Sequence, residues 1–226
     1  MQRGATPAVL RLYDRLESGT HFGHPETNLL LIADEGDPAL VDAGLAVASE
    51  VCAASGTELD GEAVLARWLD ERMLVGKSSD GFTPGPGFVA DTLEMAASWA
   101  ALPVIYDEVV EAIESVPGTL AASAHQSHAY TDGACVYFSL RGDVEPTARR
   151  DWYRAVWDAA NAVLLRHRAA LSHHHGCGLL RGPYLAESLG AGFATFAAVK
   201  AALDPEGILN PGKLGLPSRF GTSPLS

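Results

Sequence analysis

An Asp-Gly turn between two strand-like runs is the feature that most limits the folds open to this chain. Residues 119–130 and 134–140 form the runs, and Thr131-Asp132-Gly133 joins them. Asp-Gly between strands is a strong hairpin signal, because the tight turn needs positive φ angles. Helical patterns occur on both sides of this hairpin. The sequence therefore predicts an α+β fold, with an antiparallel sheet, helices packed on one of its faces and a C-terminal helical segment.

The clearest helix is predicted over residues 147–167, where aromatic and apolar residues recur at three- and four-residue steps. That stripe is typical of core packing. Residues 89–99 fit either a strand or a helix. The other predicted elements are strands at 8–13 and 28–33, helices at 37–55, 60–73, 104–116 and 191–203, a loop at 77–87 and a mobile tail at 215–226.

Composition excludes some classes of function. The 226 residues carry a formal net charge of −12 and show no basic stripe, which argues against a nucleic-acid partner and against adhesion to an anionic membrane. No apolar run is long enough for a transmembrane segment. The three cysteines lie far apart and form no zinc pattern. We therefore expect reduced thiols in a cytoplasmic protein and predict no metal site.

Three consecutive histidines precede a Gly-x-Gly turn in the segment Ser172-His173-His174-His175-Gly176-Cys177-Gly178. An expression tag would be terminal and longer, whereas a flexible loop that holds histidines by chance stays open as an alternative. Imidazoles titrate near neutral pH, and glycine lets the backbone approach a ligand closely. The segment therefore indicates a cluster of proton-exchanging groups at a ligand site.

The end of the chain points to a family. The run from Ala201 to Lys213, AALDPEGILNPGK, closely resembles the end of FAD-linked oxidases of the vanillyl-alcohol-oxidase type. The hydroxy-acid dehydrogenase branch of that superfamily carries Glu-His-Gly-x-Gly upstream of this run. Here the matching residues are His174-His175-Gly176-Cys177-Gly178, so His175 occupies the position of the shared histidine and His174 that of the glutamate.

The triple histidine resembles a different branch, that of alkylglycerone-phosphate synthase. Three further segments resemble the same branch: Asp132 to Phe138 its catalytic-tyrosine strand, Arg11 to Asp14 with Phe22-Gly23-His24 the start of its substrate domain, and Leu179-Leu180-Arg181 its basic position after the glycine turn. Residues 58–88 match this pattern poorly. The resemblance covers most of the chain and implies a C-terminal substrate domain over residues 1–214.

The resemblance also implies a chemistry and a set of site residues. In the synthase, the flavin N5 binds the substrate carbon covalently, and an acyl group is exchanged for a fatty alcohol in ether lipid biosynthesis without net redox change. A phenol can act as the acid/base only if imidazoles or Arg stabilise its anion. The implied roles are acid/base for Tyr137, proton transfer and phosphate binding for His173, His174 and His175, substrate binding for Arg11 and Arg181, and FAD contact for Asn210 and Lys213.

The sequence leaves alternatives open for the function and for the roles of single residues. The same scaffold serves oxidases of a 2-hydroxy acid or alcohol, with His175 as the base, and a non-catalytic module binding a phosphorylated or acidic small molecule is a third class. Tyr137 fits a core position as well, and Arg11 fits a surface ion pair. His125 and His128 are read as ordinary residues, and His21 and His24 as structural ones.

The expected cofactor is FAD, although Gly85-Pro86-Gly87 and Gly176-Cys177-Gly178 are isolated and do not form a pyrophosphate-binding loop. The chain is expected to start where the substrate domain starts, so that a separate FAD-binding domain is its partner in cis or in trans. A second copy of the chain is a further candidate partner. The isolated chain is predicted to bind little FAD.

Overall fold

Five strands form one sheet. They are β1 (Val9–Tyr13), β2 (Leu29–Ala33), β3 (Phe88–Ser98), β4 (Thr119–Ala129) and β5 (Gly133–Asp143). Their order across the sheet is β2-β1-β4-β5-β3. The predicted hairpin is the β4–β5 connection, which is closed by a hydrogen bond of 2.8 Å from the Tyr130 N–H to the Gly133 carbonyl. The α+β prediction is confirmed.

The computed structural model describes residues 1–56, 62–73 and 84–221. The chain divides into two compact units. Unit 1 comprises residues 1–85 and 123–137, and unit 2 comprises residues 86–122 and 138–226. Strands β4 and β5 therefore each contribute one part to unit 1 and the other part to unit 2.

Unit 1 contains β1, β2 and three helices, α1 (Arg15–Phe22), α2 (Pro38–Ala54) and α3 (Glu62–Glu71). Strand β1 pairs antiparallel with β2, in a register that places Tyr13 opposite Leu29. On its other side β1 pairs with β4, and Tyr13 lies opposite His125. Tyr13 is buried at this central position.

Helix α1 is not among the elements predicted from the sequence. The eight residues are too few for an apolar period, but both ends carry ordinary signals. The Asp14 side chain caps the helix by accepting the Glu17 N–H, and Gly23 ends it with a left-handed φ of 79°. An Asp at the N-cap and a glycine just after the last turn are strong boundaries, because they satisfy backbone groups that the helix leaves open.

Unit 2 contains β3 and four helices, α4 (Leu102–Glu114), α5 (Arg149–Arg166), α6 (Gly182–Leu189) and α7 (Gly192–Leu203), with a 3-10 turn at Pro146–Ala148. Helix α5 contacts α4, β3 and α6. The predicted stripe on α5 is confirmed as core. Six of its seven members are buried, and Tyr153 is partly exposed: the buried ones are Trp152, Val156, Trp157, Ala160, Val163 and Leu164. Asn161 of the same helix, which was not part of the stripe, is also buried.

The segment that fitted either a strand or a helix, residues 89–99, lies in strand β3. Helix α6 is also absent from the predicted elements. Parts of three other predictions, residues 60–61 of a helix, 77–83 of a loop and 222–226 of the tail, lie outside the described residues. In the described part of the predicted tail, Arg219 donates to the Glu206 carbonyl at 2.7 Å. Among the described residues, no helix is both long and apolar enough to cross a bilayer.

We expect Gly142→Ala to destabilise the protein by about 1–3 kcal/mol, because an added Cβ would overlap the Trp152 indole. That indole cannot easily move, since it is buried and its Nε1–H donates to the Thr119 hydroxyl at 3.2 Å. Gly192→Ala is the matched control, because its Cβ would meet open space at the start of α7. Urea unfolding of both variants is the measurement, and equal midpoints would contradict the packing.

Candidate functional site

The histidine segment is tied to strand β3 by a short backbone bridge. After α5 the chain turns at Arg168, which has a φ of 54°. Ala170 then pairs with Ala96 of β3 through two hydrogen bonds, of 2.9 and 3.3 Å. Four residues, 172–175, follow this bridge and lie at Glu94, two residues before Ala96 on the strand. The bridge therefore determines which part of β3 the histidines meet.

The Glu94 carboxylate anchors the backbone of this segment, which we call the histidine loop (residues 172–175). Glu94 is fully buried. Its Oε1 accepts the backbone N–H groups of His173, His174 and His175 at 2.9, 2.7 and 2.8 Å, and the Ser172 hydroxyl at 3.1 Å. Burial alone would raise the pKa of Glu94, but these donors lower it to about 2. The loop is thus built on an ionised carboxylate.

The anchored backbone leaves the imidazoles at the surface. The side chains of His174 and His175 are exposed. His173 and His174 bring their Nδ1 atoms to 2.9 Å, and the rings of His174 and His175 meet edge to face at 4.4 Å. One Nδ1 of the first pair must donate and the other accept. The cluster can therefore exchange protons within itself while its backbone stays fixed.

Arg181 supports the same loop from the interior. It is 5% exposed, and its Nη1 and Nη2 donate to the carbonyls of Gly176 and Glu94 at 3.1 and 3.0 Å. Its guanidinium lies 4.9 Å from the Trp157 ring centre. Burial lowers the pKa of Arg181, and the nearby Glu94 charge opposes that shift. These contacts tie Arg181 to the loop, and its predicted substrate contact stays a prediction.

The C-terminal turn is organised around Asp204. Its carboxylate accepts the N–H groups of Ile208 and Leu209 at 3.1 and 3.0 Å and pairs with Lys200. Beyond it, Asn210 adopts a left-handed φ of 45° and is exposed. The Leu214 N–H then bonds to the Gly178 carbonyl at 3.2 Å, directly after the histidine loop. Asn210 and Lys213 therefore belong to a turn that is connected to the glycine turn.

Tyr137 lies in unit 1, where aromatic rings surround it. The His125 ring stacks on Tyr137 at 4.9 Å between centroids, with 10° between the planes. His128 stacks on it at 6.5 Å. His125 in turn stacks on Tyr13 at 5.3 Å and bonds through Nδ1 to the buried Glu17 at 2.7 Å. The structure thus gives His125, which the sequence analysis read as ordinary, a buried carboxylate partner.

Arg11 also lies in unit 1, between aromatic groups. Its guanidinium carbon is 5.6 Å from the ring centres of both Tyr13 and Trp68. Burial raises the pKa of Tyr13, against the opposing effect of Arg11. The Arg11 Nε is buried and has no hydrogen-bond partner among the described residues. An orphaned guanidinium N–H is suited to an anionic ligand.

The structure brings the predicted residues together in two groups. His173, His174, His175, Arg181, Asn210 and Lys213 belong to unit 2, and Arg11 and Tyr137 belong to unit 1. That both groups serve one substrate stays a prediction. Sequence reasoning missed the two anchoring carboxylates. Glu94 is a single charge inside the apolar run 93–97, and Glu17 follows Asp14 at helix-capping spacing. These patterns mark the two glutamates in the sequence but do not indicate which distant groups they bind.

Comparison with known proteins identifies the scaffold. Residues 1–214 match the family described as the C-terminal domain of FAD-linked oxidases. The chain belongs to this family. The resemblance inferred from the terminal run and the histidine loop is therefore confirmed at the level of the family, and FAD is the cofactor that the family implies.

Individual relatives are more distant or match only in part. Alkyldihydroxyacetonephosphate synthase of Trypanosoma brucei brucei is 39% identical over 95 residues, 42% of this chain and 15% of the relative. The uncharacterized FAD-linked oxidoreductase YgcU of Escherichia coli O157:H7 is 25% identical over 239 residues, 95% of this chain and 47% of the relative. The structure of 4-ethylphenol oxidase from Gulosibacter chungangensis has a TM-score of 0.64 at 11% identity, covering 94% of this chain and 48% of that one.

The family match covers most of this chain, but the individual relatives are much longer than the chain. The chain spans less than half the length of each of these three proteins. At 11% identity the oxidase structure shows the fold alone. The family is therefore shown, whereas the reaction and the substrate belong to the proposal below.

The donors of unit 2 fit the flavin ring of FAD. Exposed imidazoles, the Asn210 amide and the Lys213 ammonium can hydrogen-bond to the oxygens and nitrogens of a flavin ring. Among the described residues, no glycine-rich loop links a strand to a helix in the form that cradles a pyrophosphate. That these donors contact the flavin ring stays a prediction.

The Glu94 carboxylate is engaged with the backbone of the histidine loop, and two imidazoles of that loop bring further ligand atoms close to it. The ligand atoms of Glu94, His174 and His175 lie within 4.8 Å of one another. The same Oε1 atom, however, already receives three backbone N–H groups and one hydroxyl. Those donors occupy its lone pairs and would have to be displaced before a cation could bind.

We expect the contribution of Glu94 to stability to be lost in acid. Its pKa falls from 4.5 to about 2 on folding, so between those values the unfolded chain binds more protons. The contribution is complete above about pH 5 and decreases by about 2 kcal/mol by pH 3. The measurement is urea unfolding of the wild type and Glu94→Gln at pH 6 and pH 3. The difference between them should narrow by that amount, and a difference independent of pH would contradict the assignment.

Proposed function

We propose that this chain is the substrate-binding and catalytic C-terminal domain of an FAD-dependent enzyme similar to alkylglycerone-phosphate synthase. Such an enzyme exchanges the acyl group of a dihydroxyacetone phosphate ester for an alkyl group. The observation that carries the proposal is the histidine loop, whose backbone is fixed on Glu94 while the imidazoles of His174 and His175 stay exposed. The local identity of 39% with a synthase supports it.

The proposal divides the work among the site residues. Tyr137 is the acid/base that acts on the triose, and His173, His174 and His175 exchange protons and contact the phosphate. Arg11 binds phosphate through its guanidinium, whose buried Nε has no partner among the described residues. Arg181 acts through the loop that it supports, since both of its Nη atoms are engaged with backbone carbonyls. FAD, when bound, supplies the electron-accepting ring.

A separate FAD-binding domain, in cis or in trans, completes the proposed enzyme. Helix α7 is rich in apolar residues and has no buried one. Large apolar side chains are exposed on and after this helix, including Val199, Leu203, Ile208, Leu209 and Phe220. Exposed apolar groups close together in sequence are typical of a surface that another domain covers. These residues lie next to the turn of Asn210 and Lys213, for which we propose the flavin contact.

The second candidate is an FAD-linked oxidoreductase acting on a 2-hydroxy acid or an alcohol. The match to YgcU over 95% of this chain favours it. In this alternative His175 is the base that removes the substrate proton, and the triose phosphate has no role.

The preference for phosphate distinguishes these two functions. The chain is produced together with its FAD-binding domain, and calorimetry compares dihydroxyacetone phosphate with glycolate. We expect the phosphate ester to bind at least about tenfold more tightly, and Arg11→Met to remove that preference. Arg3→Met is the matched control, because Arg3 forms an exposed ion pair with Glu50 at 2.9 Å. Tighter binding of glycolate would support the oxidoreductase instead.

A further inference from the structure

A buried carboxylate holds an imidazole beside Tyr137 in unit 1. Glu17 is 1% exposed. Its Oε2 lies 2.7 Å from the His125 Nδ1, and its Oε1 accepts the Ser123 hydroxyl at 3.1 Å. A buried carboxylate is costly unless it is hydrogen-bonded, so both oxygens need these partners. One of these partners, His125, has no role in the function proposed above.

The fold constructs this pair through Asp14. The Asp14 carboxylate accepts the N–H of Glu17 at 2.9 Å and that of Ala124 at 2.5 Å, and the Asp14 N–H donates to the Ala124 carbonyl at 3.0 Å. The first turn of α1 is therefore fixed against β4. Ser123 and His125 flank Ala124 and point to the same face of the strand, since side chains alternate. That face is the one that Glu17 meets.

The hydrogen bond to Glu17 sets the orientation of the imidazole. A carboxylate oxygen accepts, so the His125 Nδ1 carries a proton and the neutral ring has its lone pair on Nε2. Among the residues that the structure describes, Nε2 has no hydrogen-bond partner. Stacking on Tyr137 and Tyr13 restricts the ring, while 16% of the side chain is exposed. His125 is therefore a positioned base whose side chain is partly exposed.

We propose that His125 is a catalytic base for the hydroxyl group of the incoming alcohol, and that Glu17 positions it. This inference rests on the proposed function and assigns the triose to Tyr137 and the alcohol to His125. The alcohol O–H bond breaks, its proton moves to Nε2, and the oxygen keeps the electron pair. Over the whole exchange, that oxygen forms a new bond to the triose carbon in place of the bond from this carbon to the acyloxy group, which is broken.

The step balances without an oxidant or a reductant. The acyloxy group leaves as a carboxylate with the electron pair of the broken bond, and the proton on His125 passes to solvent. The imidazolium formed in between is paired with the Glu17 carboxylate, as an oriented imidazole needs when it takes a proton. In this proposal His125 acts on a neutral alcohol, and other residues bind the phosphate.

The first test uses His125→Gln in the complex with the FAD-binding domain. The glutamine amide can still donate to Glu17, but it lacks the ring that stacks on Tyr137 and Tyr13, so the melting temperature is measured beside the kinetics. We expect kcat to fall about 10²-fold or more with KM for the alcohol nearly unchanged, and the acid limb of the pH–rate profile to disappear. His167→Gln is the control, because His167 forms a similar pair with Glu108 at 2.9 Å on the surface of unit 2. A His125→Gln enzyme with at least half of the wild-type kcat would overturn the proposal.

The test separates this inference from the proposed function. If the enzyme oxidises alcohols or hydroxy acids and exchanges nothing, the proposed function fails. The same variant still tests His125 on that reaction, since a hydroxyl proton is removed there too. A second measurement needs no turnover: long-range ¹H–¹⁵N NMR of the imidazoles during titration with 1-octanol. The His125 Nε2 resonance should shift while those of His167 stay in place, and an unchanged His125 signal would overturn the proposal.

Discussion

Glu94→Ala is expected to lower the free energy of unfolding by about 3–5 kcal/mol, because it leaves three backbone N–H groups and a hydroxyl without the buried acceptor that they share. Urea unfolding followed by circular dichroism measures this loss. The NMR signals of His173, His174 and His175 should lose their dispersion, since the loop backbone loses its anchor.

Glu108→Ala is the control for this prediction. Glu108 is also a carboxylate with several partners, Arg166 and His167, but these contacts lie at the surface. An exposed pair of this kind contributes about 0–1 kcal/mol. Equal losses in the two variants would show that burial of Glu94 does not organise the histidine loop.

Tyr137→Phe is expected to reduce kcat by about 10²–10⁴-fold, the usual contribution of a general acid/base. The fold should be retained, because phenylalanine keeps the ring that stacks on His125 at 4.9 Å and loses only the hydroxyl. The rate of alkyl exchange measures the loss of kcat, and the melting temperature shows whether the fold is retained.

The matched variant is Tyr184→Phe, which removes a hydroxyl that donates to Asp158, a residue with no role in the proposed chemistry. Its activity should stay within about twofold of the wild type. A Tyr137→Phe enzyme with undiminished kcat would remove Tyr137 from the mechanism and return it to the alternative of a packing residue.

Local signals in the sequence were sufficient for most of the fold. The Asp132-Gly133 turn predicted the β4–β5 hairpin, and the stripe that includes Trp152 and Trp157 predicted the buried face of α5. Helix α1 was missed because eight residues carry no clear period, although Asp14 and Gly23 mark both of its ends. Local chemistry was present there but too short to be recognised by periodicity.

The supporting carboxylates could not be predicted in the same way. Glu94 lies 79 to 81 residues from the backbone groups that it binds, and Glu17 lies 108 residues from His125. Such contacts depend on which strands become neighbours in the sheet. The residues around either glutamate do not indicate which strand or loop will lie beside it. The sequence thus indicated the histidines as a site, while the groups that orient them became visible only in the tertiary structure.

The most direct test of the account is a single assay that counts alcohol incorporated and electrons released. The chain, complexed with its FAD-binding domain, receives an acyl dihydroxyacetone phosphate, a ¹⁴C-labelled fatty alcohol and a dye that changes colour on reduction. We predict that label enters the lipid product in proportion to fatty acid released, with no dye reduced. Dye reduction by an alcohol or a 2-hydroxy acid, with no label incorporated, would contradict the exchange reaction and establish the oxidoreductase alternative.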